Sequence, residues 1–268
     1  MKKLIVTVNI VLIFFVSICE LSAGWIIYEK SHQSDLKSFS NFKYYIQDQK
    51  LKLEEEGLTT IFNLQKQTIT FIVPHRSLYW TGFFIDYKKE FKESLQKSFQ
   101  KRLEQIPDTQ KEMAQATFDY YIESIEDTLR SEQDFLDMAI INTGKKDKIA
   151  GFNASMYGLF VNKNLKEEIW ISEEIQINNE FDMVRFNDLL KQMGNSMVGE
   201  LNYQASNSFA RLLQKGLLMK TVEYGYDINY TTEVYKVKQK VLDESVFQIP
   251  SGFEKTDLAG LGLFDETE

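Results

Sequence analysis

From Trp25 onward, apolar and polar residues alternate in short runs. Lys50-Leu51-Lys52-Leu53-Glu54 places both leucines on one side and the charges on the other, the signature of a half-buried antiparallel strand. The same reading predicts strands at Trp25–Lys30, Phe39–Gln47, Lys50–Glu55, Thr59–Leu64, Thr68–Val73 and Leu78–Thr81. Polar or proline-containing breaks at Asp48-Gln49, Glu56-Gly57, Gln65-Lys66-Gln67 and Pro74-His75-Arg76 suit a meander in which each strand pairs with the next.

The period then changes. Tyr87, Phe91, Leu95, Phe99 and Leu103 recur every fourth residue, a helical stripe, and Pro107 interrupts it. A second helix is expected from Asp108 to Arg130, with Asp108 as its N-cap and Met113, Ala116, Tyr120, Ile125 and Leu129 on its inner side. Strands resume at Phe135–Asn142, Phe152–Val161 and Leu165–Ser172, the last two joined at Asn162-Lys163-Asn164. Helices are expected at Asn179–Met193 and Ser196–Gln214, broken at Gly194-Asn195, with Gly216 ending the second. Strands at Leu218–Tyr226, Ile228–Gln239 and near Val246 close the pattern. Helices in blocks between runs of strands give an α+β class: an antiparallel sheet with helical inserts at about 85–130 and 179–214 forming a lid.

Before the first strand, Lys2 and Lys3, an apolar run from Leu4 to Ile18, and Ser22-Ala23-Gly24 follow the order of a secretory signal peptide. The run is shorter than the roughly 20 residues of a membrane-spanning helix. Cleavage between Gly24 and Trp25 is the expected outcome, leaving one domain from 25 to 268; lipidation at Cys19 and an uncleaved anchor are the alternatives. Each puts the folded body in the periplasm or on the outer face of the cell envelope. Loss of Lys2, Lys3 and Glu20 takes Lys plus Arg from 31 to 29 and Asp plus Glu from 39 to 38, a net charge of −9. A surface of that sign repels phosphate backbones and anionic head groups, so neither nucleic-acid binding nor polybasic membrane attachment is expected. The only cysteine is Cys19, so no disulfide supports the body and packing must hold it.

Several segments together resemble an exported bacterial family, domain of unknown function 4412. They are Phe42-Lys43-Tyr44-Tyr45-Ile46, Lys50–Glu54, Thr60–Leu64 with Thr68–Ile72 and Tyr79-Trp80, Ile149-Ala150-Gly151-Phe152, Glu167–Ile171, Thr232-Glu233-Val234 and Val246–Phe253. The resemblance implies a strongly curved antiparallel sheet similar to the incomplete barrels of the periplasmic, LolA-like lipoprotein carriers, with helices over the open side. It implies no activity and no catalytic residues. The paired insert at about Ile85–Arg130 is longer than that pattern.

Chemistry-bearing residues are sparse. With His32 and His75 alone beside no mature cysteine, no metal and no cofactor are expected. His32, Ser34 and Asp35 lie close in sequence but on a polar connection, so a solvated turn is expected rather than a triad. Glu54-Glu55-Glu56, Glu173-Glu174 and Asp265-Glu266 lack the spacing of a calcium loop and read as solvated faces. Aromatics, 13% of the chain, are the remaining signal. Tyr44, Phe62, Phe71, Trp80, Phe91, Leu95, Phe99, Tyr157, Trp170 and Tyr224 are the expected lining of an apolar hollow between sheet and lid. The function expected is therefore non-enzymatic: a binding or carrier module for a lipid or other apolar ligand, not an integral membrane protein after cleavage. An envelope protein-interaction or sensor module is the alternative, and a hydrolase a third reading.

Overall fold

The computed structural model describes residues 23–36, 38–126, 138–193, 206–225 and 228–263. The apolar run with Cys19, the ends of the predicted helix and strand at 127–137, the Gly194-Asn195 break, Tyr226 and the acidic tail lie outside them.

Among the described residues, twelve strands form one open sheet in the order β12-β6-β5-β4-β3-β2-β1-β11-β10-β9-β8-β7. The first meander comprises β1 (Gly24–Gln33), β2 (Ser40–Gln47), β3 (Lys50–Glu55), β4 (Leu58–Asn63), β5 (Thr68–Val73) and β6 (Leu78–Phe83). The second comprises β7 (Met138–Ile149), β8 (Phe152–Val161), β9 (Asn164–Ser172), β10 (Leu217–Tyr224) and β11 (Asn229–Lys240). The antiparallel β1–β11 pair, ten residues from Gly24↔Lys240 to Gln33↔Tyr230, joins the two halves. β12 (Glu254–Lys255) then pairs parallel to β6, a contact the alternation does not predict.

Both central residues of the tight hairpins at Asp48-Gln49, Ala150-Gly151 and Asn162-Lys163 have positive φ, the two-residue turn whose twist matches that of the flanking strands. Position parity separates the faces. Ile27, Ile46, Phe62, Ile69, Phe71 and Trp80 point toward the helices and share one core with Tyr87 and Phe91 of α1 (Phe84–Leu103). α2 (Asp108–Glu126) folds back beside α1. α3 (Met183–Met193) lies on the same core: Phe186 packs edge-on to Phe62 at 4.9 Å. A smaller cluster unites Tyr157, Leu159, Ile169 and Ile171 with Phe209 and Leu212 of α4 (Asn207–Leu213).

Four sequence expectations are corrected. The helix predicted from Asn179 begins at Met183, because the Asp182 carboxylate accepts from the Val184 and Arg185 amides and caps it there. Val246 lies in a short 3₁₀ turn, Glu244–Phe247, not a strand. That segment crosses β3, held by Lys50–Glu244 and by a reciprocal pair in which Gln47 bonds the Leu242 amide and carbonyl. The inner side of α2 is Ala114, Phe118 and Ile122, while Met113, Ala116 and Tyr120 are exposed, Met113 and Tyr120 at 72% and 76%. Finally, His32 belongs to β1, which runs on to Gln33 because its partner β11 extends equally far.

Candidate functional site

Among the described residues, aromatics read as the lining of a hollow pack on one another. Phe71 stacks on Trp80 at 5.7 Å, Tyr87 meets both at 5.9 Å, and Phe91 follows Tyr87 at 5.7 Å. The Trp80 indole N–H donates to Glu90 at 2.8 Å, so the ring is fixed at its polar end as well. Of the ten residues read as a lining, Phe62, Phe71, Trp80 and Phe91 sit inside this core, with Tyr44, Leu95 and Trp170 packed against it. Tyr157 belongs to the second cluster, and Tyr224 stands near Glu168. Burial, then that carboxylate, raises the Tyr224 phenol above its ordinary range.

Phe99 departs from the stripe that contains it. Its ring lies parallel to Phe118 at 4.0 Å and faces α2. An open groove of about 520 Å³ lies there, lined by Phe99, Ile106, Gln110, Met113, Ala114, Thr117, Phe118 and Tyr121. Only Gln110, Thr117 and the Tyr121 hydroxyl interrupt its apolar wall, and Thr117 spends its proton on the Met113 carbonyl. Ala114 and Phe118, four residues apart, are the available signal for this groove; Met113, grouped by the sequence with the exposed Ala116 and Tyr120, lines it as well.

A second feature lies on the helix-facing side of the sheet. Parity with Trp25 and Ile27 turns Glu29 inward, where it accepts from the Tyr44 hydroxyl at 2.9 Å. Glu55 lies on the same face, and neither carboxylate has an ion-pair partner among the described residues. Burial pushes both carboxyls up, and Tyr44 is held far above its ordinary range by burial and by the Glu29 and Glu55 charges. Glu54-Glu55-Glu56 is therefore not one solvated face: Glu54 turns outward to Lys52 at 2.7 Å.

The Glu29 linkage gives a sign. A carboxyl held above its unfolded value, about 4.3, contributes stability that is present at lower pH and lost as pH rises through the raised folded value. Glu29→Gln keeps an acceptor for Tyr44 and removes the titration. The variant is expected to be more stable than the parent at pH 7 and equal to it below about pH 4. Urea midpoints measured across that range check this, and parallel profiles would show that Glu29 carries no such linkage.

The His32 ring lies tilted against Phe39 at 5.1 Å, whereas the Ser34 hydroxyl accepts from the Asn229 amide. These residues form no triad, and His75 is exposed at its turn. Among the described residues, no three of His, Cys, Asp or Glu converge to hold a metal, and no helix is long and apolar enough to cross a membrane.

One protein family, described as "Domain of unknown function (DUF4412)", matches residues 88–253. No functionally curated protein matches the chain. Among solved structures, PNGF-II is 13% identical with a TM-score of 0.38, covering 89% of this chain and 32% of its own, so this chain spans about a third of it. An uncharacterized conserved protein from Thermus thermophilus is 8% identical, TM-score 0.41, covering 88% and 91%. A LolA superfamily protein from Nitrosomonas europaea is 9% identical, TM-score 0.25, covering 85% and 90%.

Proposed function

Since the chain belongs to the family described as domain of unknown function DUF4412, which assigns no chemistry, we propose from its own geometry a non-enzymatic binding or carrier module of the cell envelope for an apolar, chain-like ligand. The observation that carries this is the groove between α1 and α2. Its volume, about 520 Å³, falls in the range of small-molecule sites, and its wall is mostly apolar along one side of α2, with Phe99 of α1 and Ile106 closing it. An acyl chain gains about 0.8 kcal/mol per buried CH₂, so several methylenes in the groove give useful affinity without a charged anchor. The ring core beneath supplies a rigid base, and the ligand enters the lid itself, against α2, rather than the space under it.

Native mass spectrometry of the exported protein, before and after solvent extraction, tests the proposal directly. A lipid-sized mass that extraction removes is expected. Phe118→Glu and the rim variant Met113→Glu should weaken a fluorescent acyl probe at least tenfold; because Met113 is 72% exposed, its variant leaves folding intact. Unchanged probe affinity in folded Met113→Glu and Phe118→Glu would remove this reading.

The interaction-module alternative has its own support in β7. This twelve-residue strand ends the sheet with an outer edge that pairs with no strand among the described residues, and Ile141 is 52% exposed there. A photo-crosslinker at Ile141 that captures one envelope protein, together with a ligand-free native mass, would favour it.

A further inference from the structure

The net charge averages over a surface that the sheet register divides unevenly. On the face turned away from the helices, Lys236, Lys238 and Lys240 alternate along β11, about 7 Å apart. Lys236 is laddered to Tyr28 and through it to Lys43; Lys238 is laddered to Ile26 and through it to Tyr45 and Lys52. The contacts agree with the register. Lys236 and Lys43 lie over the Tyr28 ring at 5.3 and 5.5 Å, and Lys43 and Lys52 lie over Tyr45 at 4.5 and 5.3 Å. Tyr235, 46% exposed, extends the aromatic strip from Tyr28.

Three acids interrupt the field. Glu54 neutralises Lys52 and Lys43, Glu244 pairs with Lys50 at 2.6 Å where its segment crosses β3, and Glu233 pairs with Lys220 at 3.3 Å. Lys236, Lys238 and Lys240 are exposed and have no ion-pair partner among the described residues. They are an unneutralised basic row on a chain of net charge −8.

We propose that this outer face, from β11 across β1 and β2 to β3, docks on an anionic lipid bilayer. Two observations favour a bilayer over a soluble polyanion. Lysines interleaved with tyrosines suit the head-group layer, where the ammonium groups meet phosphate while stems and rings pack at the boundary. In addition, Lys240 is laddered to Gly24, so the row begins where the apolar stretch Leu4–Ile18 joins the fold. If that stretch directs export, as its sequence order leads one to expect, this corner is the part of the fold it brings to a bilayer. Docking does not depend on the groove being a ligand site.

The test is flotation of the exported protein with vesicles of phosphatidylcholine alone and with about 30% phosphatidylglycerol. Changing Lys236, Lys238 and Lys240 together to Gln should lower partitioning onto the anionic vesicles roughly a hundredfold, about fivefold per lysine. A matched control changes Lys145, Lys146 and Lys148 to Gln; these are exposed on β7, at the edge of the sheet four strands from β11. It removes the same charge and should bind like the parent. High salt should release the parent from anionic vesicles. Equal loss in both triple variants, undiminished binding by the β11 variant, or binding to a soluble oligonucleotide without binding to vesicles would overturn the proposal. Acyl-probe affinity of the β11 variant should match the parent, which separates failure here from failure of the groove.

Discussion

Phe71→Ala should lower the free energy of unfolding by about 3–5 kcal/mol, the cost of deleting a buried ring whose surroundings relax only in part. Phe71 is 4% exposed and lies against Trp80 and Tyr87, and both of those are pinned elsewhere. Trp80 is held by its bond to Glu90, and Tyr87 is packed on Phe91. The rings cannot collapse into the space, so the cavity persists. Urea unfolding should show a lower midpoint at constant slope. Phe71→Leu, which keeps most of the volume, should cost far less. A cycle with Tyr87→Ala should reveal a coupling of about 0.5–1.5 kcal/mol. A Phe71→Ala variant within about 1 kcal/mol of the parent would mean that the rings do not form a common core.

Gly216→Ala should be the most damaging single-methyl addition among the described glycines in the second half of the chain. Gly216 is not among the glycines with positive φ; its need is for space. A β-carbon there would lie 2.0 Å from the Ser172 carbonyl oxygen and 2.9 Å from the Glu173 α-carbon. Both are backbone atoms at the end of β9, and neither rotates away as a side chain would. Relief requires β9 and β10 to separate where Leu217 pairs with Ser172. The cost belongs at the top of the overpacking range, about 3 kcal/mol. Thermal unfolding with hydrogen exchange at the Leu217 and Met219 amides checks both size and place; unchanged protection would show that the two backbones have room to spare.

Legibility differs by element for physical reasons. β3, β5 and β8 are legible to their end residues, because clean alternation is bounded by turns whose chemistry is local. The 3₁₀ turn at Val246 and the β12 strand are not. Their conformation depends on contacts with β3 and β6, far away in sequence, and a short apolar run does not specify which. The helical stripe of α1 is legible, but its division is not: Phe91 buries in the sheet core while Phe99 faces α2. Periodicity gives the face of a helix and not its neighbour.

Local sequence determined the α+β class, the order of strands and helices, the hairpin turns and the concentration of aromatics, since each follows from backbone preference and the alternation of side chains. Tertiary structure alone decided which aromatics pack on one another beneath the lid, that an apolar groove opens within the lid at α2, and that lysines from β2, β3 and β11 share one face. These depend on register between strands remote in the chain and on the rotation of one helix against another. Both are set by packing, which sums contacts over the whole fold and leaves no signature in any single segment.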